Sequence, residues 1–354
     1  MTETATRVFV VLVVTAGLTV VSGCTTLEYY AQSIGGHLRL MSMRVPIEKI
    51  ISEETTSQSL RSRLALAVSV RQFAHQKLDL PDNGSYTSYV DLARPYVSWT
   101  VIAAPEFSLN PKTWCFPVVG CVAYRGYFDE TDATRFAERL KKDGYDVHVA
   151  GVQAYSTLGW FDDPLLNSMV AQPEYRLAGV IFHELAHQRL YVAGDSAFNE
   201  AYAVVIERQG VERWLASSGR QELIEDYHEY TARQAQFLEL VRDARQALEA
   251  LYASELGDEQ KRVRKASVFS KMRVDYAERR AIWNGYGGYD AWFDSALNNA
   301  KLALVATYNA YVPAFEKLLE SKGGDLREFN AACARLAALD HASRRAELER
   351  LGAL

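Results

Sequence analysis

The residues best suited to do chemistry in this chain are His183-Glu184-Leu185-Ala186-His187, followed shortly by Asn199-Glu200-Ala201-Tyr202-Ala203. Two imidazoles four residues apart fall on one helical face, one turn above the other. That geometry lets two neutral His side chains share one Zn2+ at about 2.0–2.1 Å. Glu184, beside the first His, projects toward an attacking water rather than toward the ion, as the general base of metal-assisted hydrolysis does. Glu200 is the expected third ligand: after His187 come a helix end, a Gly194 turn and one new helical turn in which to fold back. Ala203 is small enough for the two helices to approach closely. Glu207 shares a face with Glu200 and is expected to accept a hydrogen bond from a ligand imidazole or to touch substrate. Asn199 and Asp195 are further candidates for supporting a ligand His. The plain alternative for Glu200 and Glu207 is a surface carboxylate.

Two packed helices must position this set. Pro173-Glu174 opens the first, whose buried side carries Leu177, Val180, Ile181 and Leu185. Gly194-Asp195-Ser196 breaks the chain, and Asp195 or Ser196 can cap the second. Upstream, Ser59 to Leu78 has helical spacing and stops before Pro81. From Pro95 to Leu158 the pattern becomes β: Tyr96–Val101, Val118–Tyr124 and Val147–Val152 read as strands, with a helix from Thr131 to Asp143 and a further extended run at Ala154–Leu158. This predicts a small mixed sheet ahead of the metal helices. Beyond Gly219, residues to about Ile282 predict a long amphipathic hairpin. A Gly/Tyr-rich connection (Trp283–Phe293), a helix from Ser295 to Leu319 and a weaker C-terminal helix follow. The expected fold class is α+β and mainly helical.

The ends and the composition set the context. Arg7 precedes an apolar run from Val8 to Val21 that closes with Val21-Ser22-Gly23-Cys24, too short for a comfortable span and ending in small residues as a cleaved signal does. This resembles a bacterial lipobox, which implies a signal peptide over 1–23 and lipidation at Cys24. Thr25, not an acidic residue, points by analogy with enterobacterial sorting to the outer membrane, facing the periplasm. Residues 24–54 read as tether and first helix, and 55–354 as one domain: a β-rich part at about 95–160, metal helices at 173–215 and a helical part at 220–354. No second apolar stretch is long enough to cross a bilayer. A formal net charge of −5 without a basic block argues against a nucleic-acid partner. Cys115 and Cys121 bracket a short loop and form a possible disulfide in an oxidising compartment; Cys333 reads as a buried thiol.

Asn199-Glu200-x-x-Ala203 after His183-Glu184-x-x-His187 resembles the gluzincin zinc peptidases, including aminopeptidases with an Asn-Glu-x-x-Ala signature. The interval from His187 to Glu200 is shorter here, and no Gly-x-Met-Glu-Asn motif precedes the first His. A closer resemblance, over nearly the whole mature chain, is to the bacterial putative aminopeptidase lipoproteins. It rests on Trp114–Cys121, Tyr124-Arg125-Gly126-Tyr127-Phe128, Ala154–Phe161 and Leu297-Asn298-Asn299-Ala300. The resemblance implies a zincin-like fold and a strand edge that pairs with peptide substrate; by chain order Tyr155, Ser156 and Thr157 would supply it, unless that run is an ordinary central strand. Asp162 and Asp163 could receive a substrate amine or merely shape the turn before Pro164. A donor for the developing oxyanion is also needed; Tyr289 is the first candidate and Tyr286 the next. The expectation is a zinc peptidase with one ion, an aminopeptidase by resemblance. An endopeptidase, a cell-wall amidase or a non-catalytic envelope lipoprotein that binds partners through its hairpin are the alternatives. The sequence does not fix an oligomeric state.

Overall fold

The computed structural model describes residues 27–116 and 120–353; the lipobox Cys24 and the signal segment 1–23 lie outside them. Residues 27–42 form α1. Next come β1 (Val45–Pro46), α2 (Ile47–Ser52), α3 (Gln58–Leu78), β2 (Ser88–Val90) and β3 (Ser98–Pro105). A hairpin of β4 (Trp114–Phe116) and β5 (Gly120–Val122) leads to β6 (Arg125–Tyr127), α4 (Glu130–Lys142) and β7 (Tyr145–Val152). After β8 (Leu165–Leu166) and α5 (Asn167–Val170) the rest is helical. It comprises α6 (Glu174–Arg189), α7 (Ser196–Ser217), α8 (Glu222–Tyr252), α9 (Asp258–Ile282), α10 (Asp290–Asp294), α11 (Asn299–Asn309), α12 (Val312–Ser321), α13 (Leu326–Ala337) and α14 (His341–Ala353).

The main sheet is antiparallel, in the order β6-β3-β7, with Ser98 to Pro105 paired against Val152 to Tyr145. Strand alternation explains its two faces. Trp99, Val101 and Ala103 point to α4, where Ala133, Phe136, Ala137 and Leu140 complete a core. Ile102 and Ala104 point the other way, onto Ala300 of α11. Helix α11 in turn packs on α7, so the sheet reaches that helix through it. The β-rich region is divided: a second, mixed sheet runs β1-β2-β8, and the β4-β5 hairpin stands alone.

The main core forms where α3, α6 and α7 meet, around Leu64, Ile181, Phe182, Leu185, Phe198 and Tyr202. Gly210 on α7 permits this approach, because a Cβ there would fall 2.6 Å from the Phe182 ring and 2.8 Å from Leu78. A second core, with Phe237, Leu248, Phe269 and Met272, sits inside the α8–α9 hairpin, as its amphipathic pattern requires. Lys265–Asp146 and Arg262–Glu106 tie that hairpin to the sheet.

Two expectations change. The helix expected over Ser295–Leu319 is broken into α11 and α12 at Ala310-Tyr311, because Pro313 cannot continue the preceding hydrogen-bond ladder. The run Ala154–Leu158 is not a strand. The Thr157 N–H and hydroxyl donate to the Asp163 carboxylate at 2.9 and 2.8 Å, and Leu158 and Gly159 turn the chain with φ of 56° and 81°. The backbone is thereby taken out of any ladder.

One buried ion pair anchors the start of α7. Asp195 caps α7 by accepting the Phe198 N–H, and its other oxygen accepts Arg344 Nε at 2.8 Å in a buried setting. Removing Asp195 would strip a cap and leave a guanidinium buried. Asp195→Ala is expected to cost about 3–5 kcal/mol of unfolding free energy, read as a lowered midpoint in urea denaturation.

Candidate metal centre

Helix α6 carries His183, Glu184 and His187, and α7 carries Glu200 and Glu207. Two small residues let the helices meet. Ala203 is fully buried between them, and a Cβ on Gly179 would lie 3.1 Å from Glu207 Oε1. On the far side, Gly120 of the Cys115–Cys121 hairpin lies against the α6–α7 loop, since a Cβ there would fall 2.6 Å from the Gly194 nitrogen. Cys115 and Cys121 are disulfide-bonded directly across that hairpin, and Cys333 is a buried free thiol.

Three donor atoms converge. His183 Nε2 lies 3.1 Å from His187 Nε2 and 3.2 Å from Glu200 Oε2, and His187 Nε2 lies 3.6 Å from the same oxygen. Four-coordinate binding with bonds of about 2.0–2.1 Å demands donor–donor separations near 3.3 Å. The triangle fits a small cation at its centre. His183, His187 and Glu200 are the metal-compatible group among the described residues. Burial works against charge on His183, but the carboxylates of Glu200 and Glu207 outweigh it and raise its pKa well above the ordinary value. Burial likewise works against charge on Glu200, yet hydrogen bonds from His183 and His187 hold its pKa at about 2. The pocket therefore favours positive charge beside Glu200.

Glu207 reaches His183 from the side away from the triangle: Oε2 is 3.0 Å from Nδ1. A carboxylate only accepts, so Nδ1 carries a hydrogen; loss of the Nε2 proton that faces Glu200 would leave that nitrogen's lone pair for a metal. Outer partners of this kind are worth about 10–100-fold in metal affinity. Glu207→Ala is expected to weaken zinc binding by about that factor while leaving saturation at excess zinc attainable, measured by competition with a chromophoric chelator.

Glu184 lies outside the donor triangle. Its electrostatic neighbours are the Tyr86 and Tyr124 phenols and Asp163, each of whose pKa values is raised first by burial and then by Glu184 among other groups. Tyr124 also feels Glu200 and Tyr191, and with Ile102, Ala303 and Leu304 it lines a narrow crevice of about 10 Å³ beside Glu200. Asp163, pushed up to about 6 mainly by burial, accepts Gln188 Nε2 at 3.3 Å as well as Thr157, so it braces the 157–163 turn against α6.

Several other expected site residues stand elsewhere. The Asn199 amide is taken up by both backbone groups of Val192, each at 2.8 Å, and so shapes the α6–α7 loop rather than supporting an imidazole. Asp195 is engaged with Phe198 and Arg344. His187 Nδ1 is buried and has no hydrogen-bond partner among the described residues. Tyr289 stacks on Phe237 at 4.3 Å within the hairpin core, and Tyr286 packs with it, so neither is brought to the triad. Tyr155 donates to or accepts from His37 Nδ1 at 3.1 Å and packs on Phe128; Ser156 Oγ accepts the Leu158 N–H. These three residues hold a turn, not a substrate-pairing edge. The groups that feel the charge of Glu184 are instead Tyr86, Tyr124 and Asp163. The first two had no sequence signal, because aromatic residues in a β-rich stretch look like any other core.

The profile of the family described as Putative aminopeptidase matches residues 28–348. The chain belongs to that family. Membership in this aminopeptidase family supports a peptidase, and the matched span includes α6 and α7. Comparison with curated proteins and with solved structures gives no match.

Proposed function

We propose that this aminopeptidase-family chain is a zinc-dependent peptidase that removes residues from the free N-terminus of peptides. The observation that carries the reading is the donor triangle of His183, His187 and Glu200 with Glu184 one residue away but outside it. Zinc held there would supply Lewis acidity toward a water and a scissile carbonyl. Its two-imidazole, one-carboxylate donor set is that of catalytic zinc sites, which leave a fourth position open. Glu184 takes the proton of the attacking water and returns it to the leaving amine, because one carboxylate can serve as base and then as acid. Glu207 fixes the His183 tautomer. Tyr124, which lines the crevice with Glu200 and feels the Glu184 charge, is the phenol assigned to donate to the developing oxyanion. Preference for the N-terminus rests on the family.

The proposed setting is the periplasm, on a lipid anchor at Cys24, with the outer membrane as the site of attachment. The test is a digest of a peptide library by the purified chain. Cleavage should proceed from free N-termini, spare N-acetylated copies, stop with a chelator and return with zinc. Cuts inside blocked peptides would make it an endopeptidase, and no cutting with zinc bound would leave a binding protein.

A further inference from the structure

Helix α1 leaves an apolar stripe on its outer face. Its inner face is fixed to the protein by polar and aromatic contacts along its length and by Leu40, buried in the main core, near its C-terminal end. The Gln32 amide donates to the Gly126 carbonyl and accepts the Phe128 N–H, and Tyr29 lies under the Arg125 guanidinium and against Tyr127. Gly36 allows the contact, since a Cβ there would penetrate the Phe128 ring. Its outer face carries Leu27, Ala31, Ile34 and Leu38, all exposed and spaced four, three and four residues apart along one stripe. Leu27, Ile34 and Leu38 are 72, 59 and 61% exposed.

A second exposed apolar element joins the end of this helix. Phe161 packs on His37 with ring centroids 4.6 Å apart, and Arg44 donates to the Asp162 carbonyl at 2.8 Å. This holds the Trp160-Phe161 loop beside the C-terminal half of α1, with Trp160 72% and Phe161 54% exposed. Basic groups flank the same region. Arg39 and Arg94 line a cleft of about 360 Å³ that also touches Gly35, Gly36 and Met43.

We propose that the α1 stripe and the Trp160-Phe161 loop form a membrane-docking face, which lays the protein on a bilayer with anionic headgroups near Arg39 and Arg44. The occupant follows from the chain itself. Cys24 stands three residues before Leu27, so a lipid on it would hold the start of α1 within about 10 Å of the surface. A helix tethered so closely must lie on the bilayer or stand away from it, and an apolar outer stripe with a neighbouring Trp suits the interface. The inference rests on the reading of Cys24 as the anchor, and it fixes an orientation that the anchor alone leaves free.

The full chain, purified from the envelope and reconstituted into phosphatidylethanolamine/phosphatidylglycerol vesicles, provides the test. An environment-sensitive dye would be placed at Leu38→Cys or Ile34→Cys, with Val274→Cys on the α9 surface as the reference. The dyes at 34 and 38 should shift to shorter wavelength and be quenched by bromine on the lipid chains, while that at 274 does neither. Dyes at 34 and 38 as aqueous as the one at 274 would overturn the docking face. So would a shift that follows protein concentration without lipid, which would mark a second copy as the occupant. The mass of the mature N-terminus separates the two readings: an unacylated Cys24 overturns the anchor, and inserted dyes in that same sample would still support the docking face.

Discussion

Replacement of Glu184 by glutamine is expected to lower kcat/KM by about 10²–10⁴-fold, the contribution typical of a positioned acid–base group. Zinc content should stay at one ion per chain. Glutamine keeps the shape of the side chain but cannot take a proton from water, so only the proton-transfer step is lost. The structure makes this separation testable because Glu184 is not among the three converging donors. Its charge is felt by the Tyr86 and Tyr124 phenols and by Asp163. Loss of zinc along with activity would mean that Glu184 is a ligand and that the assignment of roles along α6 is reversed.

The second large effect belongs to Glu200. Glu200→Ala should reduce zinc affinity by more than the roughly 100-fold that marks loss of an outer partner, and hydrolysis should vanish with the metal. Glu200 Oε2 is 3.2 and 3.6 Å from the two imidazole nitrogens, and no other described acid completes the group. Glu207 cannot substitute, because it sits on the Nδ1 side of His183. Equilibrium dialysis against buffered zinc would measure the change. Retention of tight zinc in this variant would move the third ligand elsewhere.

What the sequence revealed and what it hid divide along a physical line. The convergence of His183, His187 and Glu200 was legible because helical spacing fixes relative directions over one turn, and a Gly-Asp-Ser break makes the next helix double back. Glu207 was legible as a supporting residue for the same reason, since it repeats at seven residues from Glu200. The mainly helical α+β class and the α8–α9 hairpin followed from the switch between the two hydrophobic periods. Tyr86 and Tyr124, which feel the charge of Glu184, were hidden because they come from loops distant in sequence, Tyr86 before β2 and Tyr124 between β5 and β6. Asp163, singled out for a substrate amine or for the turn before Pro164, braces that turn. Asn199 misled because the residue before a ligand looked like part of the site, whereas its amide is spent on Val192. The extended run at Ala154–Leu158 has strand-forming residues, but Asp163 is a stronger acceptor for Thr157 than a neighbouring strand would be.

X-ray absorption at the zinc edge of the purified chain tests the central claim most directly. The account predicts one zinc per chain with nitrogen and oxygen neighbours only, at about 2.0–2.1 Å, and the outer-shell signature of two imidazoles. A sulfur neighbour, a spectrum that survives His187→Ala unchanged, or a chain that takes up no zinc would contradict it.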